Sequence, residues 1–132
     1  MSEIALKLIR EAKEKRLTRL DLGNCGLTEL PEALFECVWL EELIIENHRV
    51  KNTFYDVNYL LNPLAKEYKY DKTFENNIYF ISTKISQLQN LKVLRIDGRT
   101  NNKWHLKDLS PLKDLINLQR LNVSNTNVRN AS

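Results

Sequence analysis

The spacing of apolar residues between Leu17 and Leu43 constrains the fold of this chain more than any other feature. Leu20 and Leu22 alternate with polar residues, which is typical of a short β-strand with one buried face. Further along, apolar residues recur at every third position. These are Leu34, Cys37, Leu40 and Leu43. A chain that alternates between these two spacings predicts a stack of coils, each with a strand on one side and a curved segment on the other.

The first of these coils resembles a leucine-rich repeat, whose pattern is Leu-x-x-Leu-x-Leu-x-x-Asn/Cys-x-Leu. The marked places are filled in order by Leu17, Leu20, Leu22, Cys25 and Leu27. The resemblance implies an α/β solenoid in which parallel strands form a sheet on the concave face and leucines fill the interior. Because one coil cannot bury its own apolar face, several of them must stack.

The pattern recurs along the chain and predicts about four repeats in a single domain, 1–132. Leu40 stands 23 residues after Leu17 and opens the second repeat. Leu91 opens the third repeat and Leu118 opens the fourth. The curved segment of the third repeat contains a Ser-Pro-Leu step and is similar to the shorter repeats of bacterial internalins.

An insertion interrupts the second repeat. The first repeat and the start of the second occupy 17–47, and the rest of the pattern occupies 76–132. The intervening 48–75 is therefore an insertion between the strand and the curved segment of the second repeat. Both His48 and Asn76 fit the asparagine place of that repeat, and the sequence leaves both as candidates.

The insertion is rich in tyrosine, phenylalanine and lysine, unlike the rest of the chain. Loops of this length are uncommon unless they are functional or disordered, and the aromatic content argues against disorder. The aromatic side chains either pack on the flank of the repeats as a local core, or form an exposed platform that binds a partner through Tyr55 and Tyr59. Trp104, in the polar loop after the third strand, has the same two interpretations.

An amphipathic helix is predicted over 2–15. Its apolar stripe has helical spacing and consists of Ile4, Ala5, Leu8, Ile9 and Ala12. Such a helix could anchor a membrane or a partner. It directly precedes the first repeat, however, whose outer edge would otherwise lie open, so we expect residues 2–16 to form an amino-terminal cap.

Composition favours a soluble cytoplasmic protein. A formal net charge of +3, with 28% charged residues, indicates neither nucleic acid nor an anionic membrane as the partner. No apolar run approaches the roughly 18 residues of a membrane span, and the first residues do not resemble a secretory signal. Cys25 and Cys37 lie at inward places, so we expect buried reduced thiols rather than a disulfide or a metal pair.

No motif for catalysis or cofactor binding stands out. The glycines lack the spacing of a phosphate-binding loop, and neither His48 nor His105 has a nucleophile or carboxylate at motif spacing. No acidic cluster resembles a calcium or magnesium site. We therefore expect a protein that is not an enzyme and that binds no cofactor or metal.

The predicted function depends on the concave face of the sheet. Residues that flank the inward leucines face that side, because side chains alternate along a strand. Equivalent places on successive strands are expected to form three rows: Arg19, Glu42, Val93 and Arg120; Asp21, Ile44, Arg95 and Asn122; and Gly23, Glu46, Asp97 and Ser124. The candidate partner-binding residues on this face are Arg19, Asp21, Glu42, Ile44, Glu46, Arg95, Asp97, Arg120 and Asn122. We expect Ile44 to be an exposed apolar side chain amid charges. The face is either merely solvated or, as is common in solenoids, binds another protein.

Two further interpretations concern the fourth repeat, which has no curved segment after it. The opening of the chain resembles bacterial intracellular leucine-rich repeat proteins, in which the repeats often precede a signalling module such as a Roc-COR GTPase. The resemblance implies a regulatory segment of a larger protein and carries no activity over to these residues. Alternatively, the last strand pairs edge to edge with another copy in a homo-oligomer.

Overall fold

A computed structural model of the protein describes residues 3–47, 76–97 and 106–123. Within these ranges it contains one α-helix and four β-strands. They are α1 (Glu3–Lys15), β1 (Arg19–Asp21), β2 (Glu42–Glu46), β3 (Val93–Asp97) and β4 (Arg120–Asn122). The strands lie in chain order in one sheet, and every neighbouring pair is parallel. The described chain is therefore an α/β fold with a parallel sheet, as predicted.

A short 3₁₀ helix precedes each of the last three strands. These helices are Glu32–Glu36, Thr83–Gln87 and Ser110–Leu112. Each of them buries one aliphatic residue at an equivalent place, namely Leu34, Ile85 or Leu112. Because a 3₁₀ helix has three residues per turn, apolar residues at every third position lie on one face of it. The three-residue spacing follows a run of such turns that extends past the helix, because the amides of Leu34, Cys37 and Leu40 each donate to the carbonyl three residues earlier.

The strand register matches the predicted rows. The first row consists of Arg19, Glu42, Val93 and Arg120, and the second of Asp21, Ile44, Arg95 and Asn122. Glu46 pairs with Asp97 in a third row. The prediction that these rows lie on neighbouring parallel strands is thus confirmed for the described residues.

One continuous apolar core lies between the sheet and the 3₁₀ helices. Leu20, Leu43 and Leu94 contribute one row of this core, and all three are buried. Helix α1 adds its predicted stripe, whose five members are all buried: Ile4, Ala5, Leu8, Ile9 and Ala12. The helix contacts β1 and the first 3₁₀ helix. The apolar face of α1 is thereby joined to the core of the sheet.

Helix α1 ends with a left-handed residue. Arg16 has a φ of 51°, and the amide of Leu17 donates to the carbonyl of Ala12 at 3.0 Å. This bond satisfies one of the carbonyls that a helix end leaves open. The guanidinium of Arg16 lies 4.7 Å from the ring centroid of Trp39, so a cation–π contact also ties the helix end to the turn before β2.

The two cysteines are free and buried, which agrees with the expectation of reduced thiols. No helix within the described ranges is both long enough and apolar enough to span a bilayer. The insertion 48–75 and the loop with Trp104 lie outside the described residues. The interpretations of Tyr55, Tyr59 and Trp104 therefore stay predictions.

Candidate partner-binding face of the sheet

The face of the sheet that points away from the core carries most of the candidate residues. We call it the sheet face and define it by Arg19, Asp21, Glu42, Ile44, Glu46, Val93, Arg95, Arg120 and Asn122. Side chains alternate along each strand, so Arg19 and Asp21 lie on this face while Leu20 enters the core. Neighbouring strands are about 4.8 Å apart, which brings the members of one row within reach of each other.

Two ion pairs join neighbouring strands on the sheet face. The Nε atom of Arg19 lies 3.5 Å from Oε2 of Glu42, and both side chains are about a third exposed, at 29% and 34%. Nη2 of Arg95 lies 3.3 Å from Oε2 of Glu46, whose side chain is only 1% exposed. Removing one member of so buried a pair leaves an uncompensated charge, whereas a pair near solvent contributes little to stability.

The prediction that Ile44 is exposed is wrong. Ile44 is fully buried, at 0% exposure, although it lies on the sheet face and outside the main core. It is the central-strand member of its row, with Asp21 on one side and Arg95 on the other. The Arg95 side chain reaches Glu46, two residues after Ile44 on β2. Ile44 therefore offers a partner no apolar surface, and it is a residue of the packed interior.

Asp21 and Glu46 are also buried, contrary to the expectation of an accessible row. Oδ1 of Asp21 accepts a bond from the amide of Gly23 at 2.8 Å, so its carboxylate serves the turn after β1. Glu46 is committed to Arg95. The structure thus separates eight of the nine predicted strand residues into a buried centre of three and an accessible remainder of five, while the side chain of Asp97 lies outside what the structure describes. The accessible ones are Arg19, Glu42, Arg95, Arg120 and Asn122, and Val93 joins them.

Charge is distributed unevenly over the sheet and its leading edge. On the β1 and β2 side, Glu41, Glu42 and Glu46 outnumber Arg19. The described side chains on the β3 and β4 side include Lys92, Arg95 and Arg120. The two sides meet where Nζ of Lys92 lies 3.4 Å from Oε1 of Glu41. Because Glu46 is buried and Glu41 and Lys92 lie before the strands, the accessible charges of the sheet face are those of Arg19 and Glu42 on one side and of Arg95 and Arg120 on the other.

Asn76 fixes the backbone where β1 ends. Its Oδ1 accepts bonds from the amides of Cys25 at 3.2 Å and Leu27 at 2.8 Å, and its Nδ2 donates to the carbonyl of Leu22 at 2.8 Å. Asn76 is 1% exposed, so these bonds satisfy groups that have no access to water. Of the two candidates for this place, Asn76 occupies it, and His48 lies outside the described residues.

Asn47 is a structural residue that the sequence reasoning missed. Its Oδ1 accepts from the amide of Asn76 at 2.6 Å, and its Nδ2 donates to the carbonyl of Asn76 at 2.9 Å. One side chain thus holds together the two ends of the predicted insertion 48–75. The repeat spacing could have identified Asn47 as a structural residue. It stands 23 residues after Asn24, and the same offset separates Leu40 from Leu17.

Two further asparagines were missed at the opposite end of the strands. Nδ2 of Asn90 donates to the carbonyl of Val38 at 3.0 Å, and Nδ2 of Asn117 donates to the carbonyl of Gln89 at 2.8 Å. The two asparagines are 27 residues apart, as are Leu91 and Leu118, so their spacing was a usable signal. Each one ties the turn before its own strand to the preceding turn.

The described residues offer little reactive chemistry. No group of three or more histidine, cysteine or acidic side chains within them is placed to hold a metal ion. Burial raises the pKa of the Cys25 thiol and also that of the Cys37 thiol. Both thiols therefore stay protonated near neutral pH, and a protonated thiol is a poor nucleophile. The sheet face can therefore contact a partner through its charged side chains and its shape.

A scan of the chain against models of known protein families finds no match, and a search among curated proteins finds none either. The candidate site is therefore defined by its own geometry. That geometry is a set of accessible charged side chains on parallel strands, supported from behind by a leucine core.

Proposed function

We propose that this chain is a leucine-rich repeat protein of about four repeats, and that it binds another protein through the sheet face without catalysing a reaction. The leucine pattern and the parallel strands that follow it in register support the repeat assignment. The three asparagines that tie one coil to the next also support it. These are Asn76, Asn90 and Asn117.

The observation that carries the binding proposal is the accessible first row of the sheet face. This row places an arginine, a glutamate, a valine and a second arginine side by side on four strands: Arg19, Glu42, Val93 and Arg120. Interfaces combine apolar contact with a polar rim and are enriched in arginine. Because the row stands on strands with a packed core behind them, its geometry is set before a partner arrives.

The chemistry of the partner follows from the charges. The accessible part of the sheet face carries one acid, Glu42, among its arginines, and the net charge of the whole chain is only +3, so a polyanion such as nucleic acid fits the face poorly. A protein surface that carries both signs fits it better, because charge complementarity selects partners and fixes their orientation. We place this interaction in the cytoplasm. Tyr55, Tyr59 and Trp104 belong to the proposal on sequence grounds alone.

A charge swap on the sheet face tests the proposal. In the double variant Arg19→Glu with Glu42→Arg, the ion pair between β1 and β2 is kept while the charges shown to a partner are reversed. The matched control swaps Glu32→Lys with Lys84→Glu, because this pair, with Nζ and Oε1 2.6 Å apart, joins two 3₁₀ helices away from the sheet face.

The three proteins are immobilised and exposed to extract of the cells from which the chain comes, and captured proteins are quantified by mass spectrometry. We expect at least one protein to be enriched by the native chain and by the control, and to fall about 10-fold or more with the sheet-face swap. Equal capture by all three forms would exclude the sheet face as the binding surface. Circular dichroism spectra that coincide for the three forms show that the fold is intact.

A further inference from the structure

The three arginines of the sheet face differ in whether an acid of the same chain pairs with them. Nε of Arg19 lies 3.5 Å from Oε2 of Glu42, and Nη2 of Arg95 lies 3.3 Å from Oε2 of Glu46. Arg120 is exposed, and no acidic side chain in the described ranges forms an ion pair with it. Arg120 is thus the arginine of this face whose charge the described residues leave uncompensated.

Arg120 lies next to an apolar side chain. In the first row of the sheet face, Val93 is opposite Glu42 on one side and opposite Arg120 on the other. Val93 is half-buried, so part of its side chain is accessible. Neighbouring strands are about 4.8 Å apart, and the backbone at Arg120 is therefore about 10 Å from that at Glu42. A partner that contacts Arg120 is close enough to cover Val93 as well.

The pairing of the other cations decides which anion fits Arg120. Phosphorylated segments are typically recognised by clusters of arginines. Arg19 and Arg95 are engaged by their own acids, and Nζ of Lys92, the residue before Val93, lies 3.4 Å from Oε1 of Glu41. A single open guanidinium matches a single carboxylate, which it can bind through two parallel N–H···O bonds.

We propose that the partner of the sheet face presents a carboxylate to Arg120 and an adjacent apolar side chain to Val93. The inference rests on the function proposed above and names the chemistry of the partner. Arg120 then selects for an acid on the partner. The pair of Arg19 and Glu42 shows the partner one charge of each sign, which fixes its orientation.

A library of random short peptides displayed on phage is the probe that tests this. It is selected in parallel on the immobilised full chain, on the variant Arg120→Glu and on the variant Lys113→Glu, and the recovered peptides are sequenced. Lys113→Glu is the matched control, because Lys113 is exposed, lies outside the strands and undergoes the same change of charge.

We expect the native chain and the control to recover peptides enriched in an aspartate or glutamate next to an apolar residue. Arg120→Lys should keep this enrichment, because the positive charge is retained. Arg120→Glu should lose it and recover peptides with lysine or arginine at the same place. A reversed preference cannot come from a variant that fails to fold, so this readout separates specificity from loss of structure.

The most enriched peptide is then synthesised with a fluorescein label and titrated with the native chain, and binding is followed by fluorescence anisotropy. Lysine in place of its acidic residue should weaken binding to the native chain about 5-fold. With Arg120→Glu the lysine peptide should be the tighter of the two.

Recovery of the same peptides by the native chain and by Arg120→Glu would overturn the proposal, as would a native chain that enriches no peptide. The double variant Arg19→Glu with Glu42→Arg separates this inference from the function proposed above. Peptides that respond to the double variant and not to Arg120→Glu would leave the sheet face as the binding surface and remove the role of Arg120. Peptides that respond to neither would contradict both proposals.

Discussion

At the scale of single residues, the amide side chain of Asn76 does the work of several backbone contacts. An asparagine offers two acceptor lone pairs and two donor hydrogens on one rigid group. Asn76 uses this to hold two amides and one carbonyl of the turn that follows β1. A buried turn without such a partner would leave polar backbone groups unsatisfied, which costs about 1–3 kcal/mol for each group.

Replacing Asn76 with alanine should therefore be strongly destabilising. The variant removes three hydrogen bonds at a buried position, and we expect the free energy of unfolding to fall by about 2–4 kcal/mol. The control is Asn117→Ala, which removes one bond at an exposed position and should cost about 1 kcal/mol or less. Urea unfolding followed by circular dichroism measures both values. Similar losses for the two variants would contradict the role assigned to Asn76.

Ile44 shows, at the same scale, that a residue on a central strand can be buried although the charged residues around it predict exposure. The residues two positions before and after it, Glu42 and Glu46, are charged, and so are its partners across the sheet, Asp21 and Arg95. Such surroundings are typical of an accessible residue. Ile44 on the central strand β2 nevertheless has no solvent contact. An aliphatic residue between charges is therefore informative about a binding face only when its burial is known.

At the scale of elements, strand β2 is followed by the long insertion 48–75, and the strand register of the sheet is the same before and after it. The Asn47 side chain bonds both the amide and the carbonyl of Asn76, as a paired strand would. After Asn76 the chain resumes its path beside the preceding turn, with the amide of Tyr79 donating to the carbonyl of Thr28 at 2.9 Å. The register on both sides of residues 48–75 is set by these contacts.

Deleting residues 51–75 should therefore leave the parallel sheet folded. The shortened chain keeps His48, Arg49 and Val50 as a connector between Asn47 and Asn76, and loop closure becomes less costly as a loop is shortened. We expect a cooperative unfolding transition and retained hydrogen-exchange protection of the amides in β2 and β3. Loss of that protection would show that the sheet depends on the insertion. Unchanged capture of the sheet-face partner would exclude Tyr55 and Tyr59 from the binding surface.

At the scale of the whole molecule, the core depends on thiols that remain protonated. Cys25 and Cys37 are buried in the same apolar cluster as the leucines. An unfolded thiol ionises with a pKa of about 8.5, whereas burial raises the pKa of both thiols in the folded protein. Above pH 8.5 the unfolded state therefore binds fewer protons than the folded state, and the free energy of unfolding falls as the pH rises.

The alkaline part of the stability profile tests this. Each thiol should lower the free energy of unfolding by about 1.4 kcal/mol for every pH unit above 8.5, until its folded pKa is reached. The variant Cys25→Ala removes one of the two contributions, so the difference in stability between the native chain and the variant should shrink as the pH is raised from 8 to 10. Urea titrations at pH 8, 9 and 10 measure it. Parallel profiles for the two proteins would contradict the buried-thiol assignment.

Much of the architecture of this molecule was predictable because leucine spacing is a local property with a physical cause. A strand buries alternate residues and a 3₁₀ turn buries every third, so the elements, their order and the row partners of Arg19 and Asp21 followed from the sequence. The stripe of α1 followed from its helical spacing in the same way. The spacing carries this information because each element buries only one face.

Which side chains of the sheet face are buried depends on contacts between residues far apart in the chain. Only the tertiary structure decided this. Ile44 and Glu46 are buried, and Glu46 pairs with Arg95 on another strand, which no local pattern predicts. The choice of Asn76 as the residue that holds the end of β1 likewise rests on bonds to backbone about 50 residues away. Local spacing thus determined which residues could share a row, and three-dimensional packing decided which of them a partner can reach.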